Sequence, residues 1–86
     1  MPKQYPALIR SRKVIKKARK EGYDFGSAET ITEKIKSLAA SLDKTEGDER
    51  EDVIAELIWY SSVLASPDTD MEKKISDKIN DFIDQF

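Results

Sequence analysis

The sequence predicts an all-α fold: a small antiparallel helical bundle with a basic N-terminal helix and three longer amphipathic helices. Three observations carry this expectation. Apolar residues recur at helical spacing in four successive segments. Residues that start and stop helices stand between those segments. No segment shows the strict apolar/polar alternation of a half-buried strand. The composition agrees, with 37% charged residues, 38% hydrophobic residues, and only 3 Gly and 3 Pro in 86 residues. That length allows a single domain over residues 1–86, with a short arm over residues 1–6.

The first helix is expected over about Ala7–Glu21, with Pro6 tolerated at its start because the missing N–H has no partner there. Its apolar stripe is Leu8, Ile15 and Ala18, flanked by Ile9 and Val14. Gly22 suits the left-handed position just past its end. Tyr23 and Phe25, in the loop that follows, are expected to fold back onto the core. A second helix starts near Thr30, which has capping-box spacing to Glu33. Ile31, Ile35, Leu38, Ala39 and Leu42 form its apolar face. Gly47 is the expected break before a third helix over about Glu49–Ala65. The run Val53–Ala65 is apolar on most of its circumference, so this helix is central or lies at an interface between copies. Ser66, Pro67 and Asp68, with Thr69 and Glu72 at capping-box spacing, announce a fourth helix over about Asp70–Gln85. Its stripe is Met71, Ile75, Ile79, Phe82, Ile83 and Phe86. Short connections between such helices favour antiparallel neighbours.

Charge is distributed unevenly. Residues 1–20 carry Lys3, Arg10, Arg12, Lys13, Lys16, Lys17, Arg19 and Lys20 and no acid, a net +8. That leaves 7 of the 15 bases and all 17 acids for residues 21–86, a net −10. A basic helix on an acidic body meets either that body or an external polyanion. The expected partner-binding residues are Arg10, Arg12, Lys13, Lys16, Lys17 and Lys20. An acidic protein is favoured over nucleic acid, because the −10 body repels a polyanion. No aromatic residues interleave the cations as in nucleic-acid-binding segments.

The chain has no Cys and no His. Disulfides, thiolate metal sites, the Ser-His-Asp triad and a histidine base are therefore excluded. No phosphate-cradling glycine loop is present. The stretch Asp43–Val53 has acids and a glycine but lacks the ligand order of a calcium loop. Glu33, Asp52 and Glu56 are the candidate metal ligands. Asp52 and Glu56 share a helix face, and Glu56 is the only charge in the apolar run. A carboxylate there must be paired, hydrated or protonated. Paired carboxylates on facing helices are one way bundles hold Mg²⁺. The alternative is an ion pair with the first helix, or exposure at the edge. Trp59 and Tyr60 are adjacent and point about 100° apart, so one of them is expected at a protomer interface, the alternative being core packing of both in different directions.

The segments ITEKIKSLAASL (31–42) and EDVIAELIWYSSVLA (51–65) resemble the two central helices of the all-α nucleotide pyrophosphohydrolases. That group comprises the MazG-like enzymes and the phosphoribosyl-ATP pyrophosphohydrolases. The likeness spans about residues 29–80 and rests on the apolar frame. It implies a bundle whose acids hold Mg²⁺ for attack on a triphosphate. The acids themselves depart from the family pattern. Glu33 fits an acid position, but Lys34 and Ser37 stand where glutamates are expected. Glu56 replaces an aspartate, and Val53 occupies the other ligand position. The resemblance therefore implies a scaffold retained for binding.

The expected function is that of a non-enzymatic cytoplasmic binding or regulatory protein. It acts through protein–protein contacts, without a cofactor and as a homo-oligomer, a dimer with Trp59 or Tyr60 in the contact. One alternative is a Mg²⁺-dependent nucleoside triphosphate pyrophosphohydrolase using Glu33, Asp52 and Glu56. Another is a nucleic-acid-associated accessory protein using the basic helix. No signal-peptide pattern or membrane-length apolar run is visible.

Overall fold

A computed structural model of the chain describes residues 6–86. The expected arm, apart from Pro6, lies outside the described residues. Four helices follow in order: α1 (Ala7–Lys20), α2 (Ala28–Ser41), α3 (Gly47–Leu64) and α4 (Met71–Ile83). A short 3₁₀ turn, Leu42–Lys44, extends α2. There is no strand among the described residues. No described helix is long and apolar enough to cross a membrane.

The helix ends show why the elements begin and stop where they do. Pro6 precedes α1, and its carbonyl accepts from the Arg10 N–H at 2.9 Å. At the other end Gly22 takes φ +89°, the left-handed region that glycine enters without a Cβ clash. Its N–H donates to the Arg19 carbonyl, and the Tyr23 N–H donates to the Ala18 carbonyl. This pair of bonds is a Schellman motif. Helix α2 begins three residues before the expected Thr30 cap. Ser27 is the N-cap, and its hydroxyl accepts from the Thr30 N–H at 3.1 Å. Asp24 accepts from the Gly26 N–H at 2.8 Å and turns the loop so that Ser27 meets the helix in extended form. Thr30 sits within the first turn, with its hydroxyl 3.0 Å from that of Ser27.

Gly47 opens α3 and does not lie in a break before it, as the sequence suggested. Its φ of +58° is the left-handed bend that swings the chain into the helix. Asp48 and Glu49 in the first turn complement the helix dipole. The connection is tied from both sides. The buried Thr45 hydroxyl donates to the Ser41 carbonyl at 3.2 Å, and Arg50 Nε donates to the Thr45 carbonyl at 2.9 Å. Asp70, not the expected Thr69–Glu72 box, caps α4 by accepting from the Lys73 N–H at 3.0 Å.

Helices α2 and α3 run antiparallel. Ile31 meets Val63, Lys34 lies 5.8 Å from the Tyr60 ring centroid, and Arg50 reaches back to Thr45. Helix α1 packs across the C-terminal end of α3. The fully buried apolar side chains among the described residues are Ile15, Ile31 and Val63, one from each of these helices. Phe25, Ile35 and Tyr60 pack around them. Phe25 thus folds onto the core as expected. Tyr23 instead stays exposed, making an edge-to-face contact with Phe25 at 4.7 Å. Of the expected α4 stripe, only Met71 and Ile75 are even half-buried. The radius of gyration is 14.7 Å, against about 12 Å for a compact chain of this length. The bundle is open on its α4 side.

With so few buried side chains, each carries much of the stability. Ile31→Ala is expected to cost about 2–5 kcal/mol. A urea unfolding curve that keeps its midpoint would contradict this placement of the core.

Candidate functional site

On α1, Arg10, Lys13, Lys17 and Lys20 follow one another at three- and four-residue steps. At helical pitch they fall within a sector of about 80°. All are exposed. Ile15, on the opposite side, is buried in the core. The ridge from Arg10 to Lys20 is about 15 Å long. Lys16 is also exposed but lies off the ridge. Lys16 and the ridge residue Lys13 both line a cavity of about 280 Å³ between α1 and the α3–α4 connection, where Asp70 and Glu72 also lie.

Two cations of α1 reach toward α3: the half-buried Arg12, and Arg19, which stays exposed while its guanidinium bonds across. Arg12 and Arg19 share the face of Leu8 and Ile15 and reach the open end of α3. Arg12 Nη2 donates to the Ser66 carbonyl at 2.6 Å and to the Thr69 carbonyl at 3.0 Å. Arg12 Nη1 donates to the Ser62 carbonyl at 3.4 Å. Arg19 Nη2 donates to the Val63 carbonyl at 2.6 Å and lies 5.6 Å from the Phe25 ring centroid. The last carbonyls of a helix have no intrahelical donor, and the helix dipole places negative charge there. Arg19 meets this demand at Val63 and Arg12 at Ser62, while the shorter bonds of Arg12 hold the connection that follows the helix. Arg12, expected among the partner-binding cations, is therefore a half-buried structural clamp. Arg19 is not among the expected partner-binding residues. The signal was the spacing of Leu8, Arg12, Ile15 and Arg19, which places both arginines on the apolar face.

The candidate metal ligands do not converge. Glu33, Asp52 and Glu56 are each exposed. Glu33 Oε1 lies 3.5 Å from Lys36 Nζ on its own helix. Glu56, despite its apolar neighbours in sequence, opens to solvent, which removes any need for a buried partner. Among the described residues no group of three or more acids is placed to hold a metal ion. The residues present do not fit Mg²⁺, and no chemistry is routed through one. Of the aromatic pair, Tyr60 packs against the core, while Trp59 is 37% exposed with its ring 6.5 Å from that of Phe25. An apolar cleft of about 300 Å³ opens between α1, α3 and α4. Leu8, Ile54, Leu57, Ile58, Met71 and Ile75 line it.

Comparison with protein-family models, with curated proteins and with solved structures yields no match.

Arg12→Lys keeps the charge and loses the fork that reaches carbonyls in three directions. Hydrogen bonds from charged donors contribute about 1.5–3 kcal/mol each. The expected result is a destabilisation of about 2 kcal/mol in thermal or urea unfolding. Unchanged stability would show that the clamp is dispensable.

Proposed function

We propose that this chain is a non-enzymatic binding protein that holds an acidic protein partner against the cationic ridge of α1 and works as an assembly of its own copies. One observation carries the reading. Arg10, Lys13, Lys17 and Lys20 form a single exposed line on a helix anchored from its opposite face. A helix held by Arg12, Ile15 and Arg19 presents that line without having to fold on binding. Pre-ordering of this kind lowers the entropic cost of association. A short acidic patch on a protein matches a ridge of this length. A long polyanion also meets the field of the −10 body, which opposes it. On this reading the helix pair that resembles the pyrophosphohydrolases serves as scaffold. Lys34, placed where that family has an acid, lies against the Tyr60 ring. Val53, placed where it has a ligand, is half-buried.

Changing Lys13, Lys16, Lys17 and Lys20 together to Gln tests the ridge. Helicity is expected to persist, with only a small loss of stability, since exposed ion pairs contribute roughly 0–1 kcal/mol each. Affinity for a glutamate-rich peptide is expected to fall steeply and to lose most of its salt dependence. Tight binding of duplex DNA or RNA at physiological salt would replace the acidic-protein reading with a nucleic-acid one. In that case the salt slope should fall by about 0.9 for each phosphate contact removed.

A separate expectation concerns catalysis. With the acids dispersed, Mg²⁺ should elicit no pyrophosphate release from nucleoside triphosphates. Release that requires Mg²⁺ and disappears in Glu56→Gln would replace the binding reading with an enzymatic one.

A further inference from the structure

Helix α4 continues the apolar cleft and leaves most of its own stripe uncovered. Met71 and Ile75 line the cleft beside Ile54 and Ile58 of α3. Farther along the same stripe, Ile79, Phe82, Ile83 and Phe86 are 52%, 61%, 55% and 93% exposed. Phe82 and Phe86 already stack edge to face, with centroids 4.8 Å apart, on this open surface. We propose that a second copy of this chain covers it. The two α4 helices pair antiparallel about a two-fold axis, and the outer half of each lies along the Ile54–Ile58 cleft of the other.

The area is of the right size. Phe82 and Phe86 alone leave roughly 300 Å² of ring surface uncovered. Adding Ile54, Ile58, Ile79 and Ile83 takes the patch past the few hundred Å² that monomers usually expose. It then approaches the apolar share, roughly 500 Å² per partner, of a standard interface. The openness of the fold has the same cause. A chain that completes its core with another copy need not close its own bundle, and burial by association is the usual remedy for so short a domain.

Charge selects the orientation and the occupant. At helical pitch Lys74, Lys78 and Asp81 flank the apolar stripe on one side, with Lys74 toward the start of α4 and Asp81 toward its end. Lys73 lies on the far side and pairs with Asp77 of its own helix at 3.0 Å. Antiparallel pairing sets Lys74 of one copy against Asp81 of the other, twice over. Parallel pairing sets Lys74 against Lys74 and Asp81 against Asp81. The helix is thus complementary to its own reverse, which is what an isologous interface requires. The seam lies on α4 and the adjoining edge of α3, and not on Tyr60, which the core already holds. This inference rests on the reading that the chain self-associates, and it is independent of the cationic ridge.

Sedimentation of the full chain at micromolar concentration, with circular dichroism to follow folding, tests the proposal. The wild-type chain is expected to be a dimer. Phe82→Asp is expected to be a helical monomer, because that side chain is exposed within the protomer. A second set of variants leaves the apolar stripe intact. Lys74→Glu should weaken the dimer roughly tenfold, by setting like charges in place of two symmetry-related ion pairs. Adding Asp81→Lys to the same chain should restore it. A folded wild-type monomer would overturn both self-association and the seam. A Phe82→Asp chain that stays dimeric, while Trp59→Ala dissociates, would overturn the seam and leave self-association standing. A charge reversal without weakening, or without rescue, would overturn the antiparallel pairing.

Discussion

Helix α3 runs to Leu64 and leaves its last carbonyls pointing toward α1 and the turn into α4. Arg19 donates to the Val63 carbonyl and Arg12 to that of Ser62 in this last turn, and the shorter bonds of Arg12 tie down the Ser66 and Thr69 carbonyls of the connection beyond it. Much of the architecture depends on this contact. It sets where α1 crosses α3, and so where Ile15 enters the core beside Ile31 and Val63. It also holds the Ser66–Thr69 connection from which α4 departs. A lysine-rich helix would otherwise have little reason to dock, since only Ile15 of its residues is fully buried.

The same contact divides the cations of α1 between two tasks. The inward arginines neutralise the negative end of α3 and fix the helix in position. The outward Arg10, Lys13, Lys17 and Lys20 are then displayed on a rigid support. Arginine suits the first task because its planar fork serves several acceptors at once, while lysine suits a hydrated surface. The division is visible in the sequence. Of the cations on the outward ridge three are lysines, and both inward cations are arginines.

Much of the fold was legible because helical periodicity and end signals are local. The ends of α1, the glycine cap at Gly22 and the antiparallel order all follow from neighbouring residues. The start of α2 moved by three residues and that of α3 by two. A turn closed by Asp24 moved the first cap to Ser27, and a left-handed Gly47 began the third helix. The site was less legible. The inward role of Arg12 and Arg19 depends on backbone carbonyls of another helix, and a carbonyl has no signature in sequence. Glu56 looked costly because its sequence neighbours are apolar. Those neighbours are spread around an 18-residue helix with an exposed side, so the carboxylate simply faces out. The apolar run of α3 from Val53 onward did signal more surface than its own chain covers, as the exposed Ile54 and Ile58 show.

Helix α1 is held by the guanidinium groups of Arg12 and Arg19, while Arg10 lies on the exposed ridge. Guanidinium NMR of the native chain tests this anchoring residue by residue. Restricted rotation and slow proton exchange are expected for the side-chain N–H groups of Arg12 and Arg19, and these should persist at high salt. Arg10, on the exposed ridge, should show fast averaged signals under the same conditions. If the three arginines average alike, α1 is not anchored at the end of α3 and the account fails.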